Sequence, residues 1–118
     1  MTENMKVTVE RREGIAVIYT DGYINNQGGE EIARVAYQLI DEGYRSLVLN
    51  LEKTKIVNSI GISILIEIIE KMLEIQGRLG FCHLTPTIHK TFHIMGLAQY
   101  TTIYPDEASA LAQQQAAS

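Results

Sequence analysis

At 118 residues the chain is long enough for one hydrophobic core and too short for two domains of ordinary size. Apolar residues make up 46% and charged residues 20%, with Gly and Pro sparse, which excludes a low-complexity linker and extensive disorder. The net charge of −4 is scattered along the chain with no basic cluster to match a phosphate backbone, so nucleic acid is not an expected partner.

In chain order, Lys6 to Glu10 alternates polar and apolar residues, and Ile15 to Thr20 follows a turn at Glu13-Gly14, predicting an antiparallel pair of strands. The stretch DGYINNQGG, Asp21 to Gly29, is too rich in Gly and Asn to extend a regular element. Ile32, Val35, Ala36, Leu39 and Ile40 then recur at helical spacing, giving a helix over roughly 27–42 that Gly43 stops. Ser46 to Leu51 has the length and composition of a buried strand. A second helix runs from Ser59 to Ile75 or Gln76, with Gly77 and Gly80 ending it before a strand over Gly80 to Leu84. Pro86 opens a short helix in which Ile88, Phe92 and Met95 share a face and which Gly96 terminates. A last strand, Thr101 to Tyr104, precedes a terminal helix carrying Ala108, Leu111 and Ala112. The alternation predicts a single α/β domain over 1–118 with a mixed central sheet of five strands and four helices, helices mainly on one face. Its core is expected over 6–111, with 112–118 a frayed tail.

The Ser59 helix carries more apolar surface than packing on a sheet requires. At about 100° per residue, Ile62, Leu65, Ile66, Ile69, Met72 and Leu73 cover one side, and Ile60, Ile64, Ile68 and Ile75 extend the arc to roughly twice the usual width. The excess either lies beneath a neighbouring helix or forms a partner surface at the helix start. Ser59 poses a related choice. A serine there can cap the helix by accepting from the unpaired N–H groups of the first turn, yet those N–H groups and the helix dipole would equally tolerate a phosphate.

Other constellations point nowhere in particular. MTENMKVTVERREG lacks the continuous apolar core of a signal peptide, and no later segment supplies the roughly 18 apolar residues of a membrane span, so no membrane partner and a cytoplasmic location are expected. Cys82 stands alone and reads as a small hydrophobe in a strand. His89 and His93 share a helix face with His83 nearby in sequence, but no Glu or Cys completes a metal site. Gly28-Gly29 lacks the Lys-Ser/Thr of a P-loop and reads as a loop leading into a helix. No catalytic triad or carboxylate pair is spaced for chemistry, so neither enzyme activity nor a cofactor or metal is expected.

LVLNLEKTKIVNSIGISIL resembles the signature of STAS domains of the anti-sigma factor antagonist type, where a strand and a hydrophobic pair lead to Asp-Ser-Ser/Thr-Gly-Leu-Gly and an apolar helix. Asn58-Ser59-Ile60-Gly61-Ile62-Ser63 holds that register. DGYINNQGGEEI, LTPTIHKTFHIMGL and TTIYPDEASALA resemble the family's other segments in order and spacing, so the likeness covers nearly all of Lys6 to Leu111.

The resemblance implies a regulatory protein without catalysis of its own. In the family the serine aligned with Ser59 is phosphorylated by an anti-sigma factor that is itself a serine/threonine kinase, and a metal-dependent serine phosphatase reverses it. The unphosphorylated form binds the kinase and releases a sigma factor or another client. The contact residues implied are Asn25, Asn58, Ile60, Gly61 and Ile64, and a homodimer is left open. The sequence departs from the pattern at Asn58, Asn25 and Asn50, each an amide where the family has an acid, and at Ile60 and Ser63. A constitutive interaction module with Ser59 as a helix cap therefore stands as the alternative, and an enzyme or small-ligand carrier on the same shell as a more remote one.

Overall fold

The computed structural model describes residues 5–116. Strands β1 (Lys6–Arg12) and β2 (Ile15–Asp21) form an antiparallel hairpin that pairs Val9 with Ile18. Its turn is closed by Gly14, whose φ of 73° favours a residue without a side chain. Helix α1 (Asn26–Asp41), strand β3 (Ser46–Lys53), helix α2 (Ser59–Glu74) and strand β4 (Arg78–Cys82) follow. Helix α3 (Pro86–Ile94), a 3-10 turn at Leu97–Gln99, strand β5 (Thr102–Tyr104) and helix α4 (Glu107–Ala116) complete the chain. The sheet order is β1-β2-β3-β4-β5, with every pair after the first parallel. A parallel pair cannot be joined by a tight turn, so each crossover carries a helix.

The alternation of side chains along the strands decides which helices lie where. Ala16, Ile18, Leu47, Leu49, Leu51 and Phe81 point to one face and form the main core with α1, α2 and α3. Phe81 meets Phe92 of α3 edge-on, with ring centroids 5.0 Å apart. Ile15, Val17, Val48 and Cys82 point the other way, beneath Ala110 of α4. Three helices on one face and one on the other is the mixed α/β arrangement expected from the sequence.

The boundaries around α2 and β4 differ from expectation. Gly80 does not end α2. The helix stops at Glu74, Gln76 takes a left-handed φ of 58°, and Gly80 lies inside β4, where a Cβ would collide with Gln114 and Tyr104. β4 accordingly begins at Arg78 and ends at Cys82, before the left-handed turn at His83. α4 continues to Ala116, through part of the tail expected to fray, and buried Gln114 within it donates to the Ser46 hydroxyl at 2.6 Å and to the Leu47 carbonyl at 3.3 Å. The rest of that tail, 117–118, lies outside the described residues.

Candidate functional site

β2 and β3 run side by side, so the loops leaving their C-terminal ends are neighbours, and so are the helices that follow. The loops are stitched by backbone. Gly22 N–H donates to Lys53, Ile24 N–H to Ile56 at 3.0 Å, and Asn58 N–H back to Ile24 at 3.1 Å, with an isolated parallel bridge between Ile24 and Val57. The two segments then repeat one local solution. Asn25 accepts the Gly28 N–H at 2.8 Å to cap α1, and Asn58 accepts the Gly61 N–H at 2.8 Å to cap α2. In each helix the glycine three residues after the cap lets backbone approach backbone: a Cβ on Gly28 would collide with the Tyr23 carbonyl and one on Gly61 with the Ile24 carbonyl.

Ser59 is the first residue of α2 and is exposed, but it is not the cap. Asn58 performs that function, which corrects the reading of Ser59 as the capping residue and leaves its hydroxyl outside the cap. Ile60, 53% exposed, follows it on the surface. Tyr23 and Ile56, on the stitched loops, are exposed as well. Sequence reasoning expects the loop over 22–29, which contains Tyr23, near the start of α2 as part of the kinase contact, but does not single out Ile56, whose only signal is a large apolar residue in a polar loop. No acidic residue lies in the first turn of α1 or α2, and Lys53 and Lys55 lie in or beside the β3–α2 connection. The positive ends of the two helix dipoles are thus left without a carboxylate in either first turn.

The other expected contact residues are placed differently. Gly61 is buried against Ile24, so it shapes the helix start and presents nothing to a partner. Ile64 is half-buried between the helices; a Cβ on Gly29 of α1 would come within 2.8 Å of its Cδ1. Ile68 is fully buried. Much of the excess apolar arc of α2 is therefore spent on α1, while Ile60 stays outside. Asn25 and Asn58 are half-buried with their amide oxygens committed to the caps. Asn50 is not at this site. Its strand position turns it to the opposite face, where its Nδ2 donates to Glu107 of α4 at 3.1 Å and its Oδ1 accepts the Glu52 N–H at 3.0 Å. An acid there would set a carboxylate against Glu107, which accounts for the amide.

Several titratable groups lie away from this site, on that opposite face or on α3. Burial first, then the charges of Glu107, Asp106 and Glu52, pushes the Cys82 thiol up to about 12 and keeps it protonated at neutral pH. The Tyr19 phenol is raised by burial and by hydrogen bonding to Glu107 and Glu10. The rings of His89 and His93 lie tilted against each other with centroids 4.6 Å apart, whereas the Nε2 of His83 accepts the Glu107 N–H at the start of α4. Among the described residues no three His, Cys, Asp or Glu side chains are grouped to hold a metal ion. No helix among them is long and apolar enough to cross a membrane.

The chain is 27% identical over 101 residues to BtrV of Bordetella bronchiseptica, a candidate anti-sigma factor antagonist, covering 86% of this chain and 84% of that protein. In three dimensions it superposes on an anti-sigma factor antagonist from Mycobacterium paratuberculosis with a TM-score of 0.84 and 22% identity, over 95% of both chains. On the Bacillus cell fate determinant SpoIIAA in its phosphorylated form the TM-score is 0.71 at 20% identity, over 92% of this chain and 98% of that one. At these identities the structural likeness establishes the fold alone. The model of the STAS domain matches residues 6–110, nearly the whole chain, and the protein belongs to the STAS domain family.

Proposed function

We propose that this protein is an anti-sigma factor antagonist: a non-catalytic, cytoplasmic binding module that, with Ser59 unphosphorylated, docks on an anti-sigma factor serine/threonine kinase and frees its sigma factor or other client. The observation that carries the reading is the position of Ser59, exposed at the first residue of α2, relieved of capping by Asn58 and followed by exposed Ile60. A phosphate would add between one and two negative charges to the uncompensated N-terminus of a helix, where folding tolerates it. The same group in the middle of an apolar contact would have to be desolvated, and binding is lost while the fold is kept. A metal-dependent serine phosphatase completes the cycle. The likeness to BtrV and to a relative whose structure is of a phosphorylated form supports this assignment. Incubation with ATP and each candidate kinase, read by intact mass and peptide mapping, tests it. One phosphate on Ser59, absent from Ser59→Ala, is expected; modification confined to another residue would sink the switch.

A further inference from the structure

A second surface lies toward the other end of α2. Between α2 and the segment that follows α3 runs an apolar groove of about 310 Å³, lined by Ile66, Ile69 and Leu73 on one wall and Met95, Leu97 and Tyr100 on the other. Leu73, Met95 and Tyr100 are each about half exposed or more, and Ile94 beside them is 72% exposed. Large apolar side chains grouped in this way mark a contact site rather than the ordinary scatter of a soluble surface.

The groove wall from Ile66 to Leu73 spans two turns of α2, about 10 Å, which matches apolar anchors at i, i+3/4 and i+7 on a docked helix. The charged residue in the lining is Glu70, and Glu67 lies one turn earlier on the same helix, whereas Glu74 is paired with Lys71 at 3.6 Å. Among the described residues Glu67 and Glu70 have no ion-pair partner, and both press on the Tyr37 phenol, raised by burial and then by their charges. A second copy related by a two-fold axis would oppose Glu70 to its own counterpart, in a chain of net charge −4.

We propose that this groove receives an amphipathic helical segment of another protein, apolar along one side and flanked by Lys or Arg. It is separate from the Ser59 face and does not depend on the switch, so the domain can hold one partner while another is exchanged. The probe is a synthetic amphipathic helix of Leu and Lys, about 18 residues long so that it is helical alone, titrated into ¹⁵N-labelled protein at fixed ionic strength. Its counterpart with Glu for Lys serves as the control. Saturable shifts confined to the amides of Ile66, Glu70, Leu73, Met95 and Tyr100 are expected with the Lys peptide only. Leu73→Ser and Glu70→Lys should each weaken the affinity by about tenfold, as loss of a central contact does. Glu70 is exposed, so its variant keeps the test valid even if Leu73→Ser destabilises the fold. Shifts spread over the whole acidic surface, or equal affinity in Glu70→Lys, would overturn the proposal. So would concentration-dependent shifts of the groove amides without peptide, accompanied by a dimer in sedimentation, which would make the occupant a second copy.

Discussion

Gly61 at the start of α2 lies directly against the backbone carbonyl of Ile24, thirty-seven positions earlier, with no room for a Cβ between them. The contact is backbone on backbone and cannot be relieved by turning a side chain. Gly61→Ala should therefore destabilise the protein by about 1–3 kcal/mol, the usual cost of forcing one extra carbon into a packed site. Gain of helix propensity recovers less than about 1 kcal/mol of that. Urea denaturation decides the point: a midpoint equal to the parent's would mean that the loops relax freely.

The division of labour between Asn58 and Ser59 is testable in the same way. Asn58→Ala removes the acceptor of the Gly61 N–H and should cost about 1 kcal/mol. Ser59→Ala removes a hydroxyl outside the cap and should stay within about 0.5 kcal/mol of the parent. Reversal of that order would return Ser59 to a structural role.

Ile60 and Ile64, four residues apart on α2, should respond oppositely to an introduced charge. Ile60→Asp is expected to leave the melting temperature nearly unchanged and to abolish capture by the kinase partner, as a charge in an apolar contact does. Ile64→Asp sets a carboxylate against Gly29 of α1 and should lower stability by about 2–4 kcal/mol. Calorimetry beside a pull-down separates the two, and full binding by folded Ile60→Asp would remove this face from the interface.

Cys82 predicts a dependence on pH. Its thiol ionises near 8.5 in the unfolded chain and at about 12 in the fold. The unfolded state therefore loses its proton first, and stability falls as pH rises through that interval. Tyr19, also raised, adds to the slope at its upper end. Cys82→Ala should lessen the decline. At pH 8.5 the native thiol should react with a disulfide reagent far more slowly than in urea, and equal rates in the two states would contradict its burial.

The legible parts of the fold were those governed by local rules. The strand and helix order follows from periodicity and glycines, whereas the cap of α2 does not, because Asn58 and Ser59 are both capping residue types and only the structure gives the Gly61 N–H to Asn58. The illegible parts depend on distant partners. QQQAAS reads as a polar tail until Gln114 is seen to reach Ser46, sixty-eight positions away. Asn25, Asn58 and Asn50 look like one set of lost acids, yet strand alternation sends Asn50 to the opposite face and Glu107. For α2, periodicity gave the width of the apolar arc but could not divide it. Close approach to Gly29 takes Ile64, Ile68 is buried, and Ile60 and Leu73 remain outside at different places along the helix.

The bridge between Ile24 and Val57 bears on the speed of recognition. Because each loop is held by the backbone of the other, the face around Ser59 has its shape before any partner arrives. Encounter then involves no ordering step, and association should proceed in a single phase within the ordinary range of about 10⁵–10⁷ M⁻¹ s⁻¹. On the proposed reading, a phosphate placed on so rigid a surface would act on how long the complex lives and leave no slow rearrangement to be waited out.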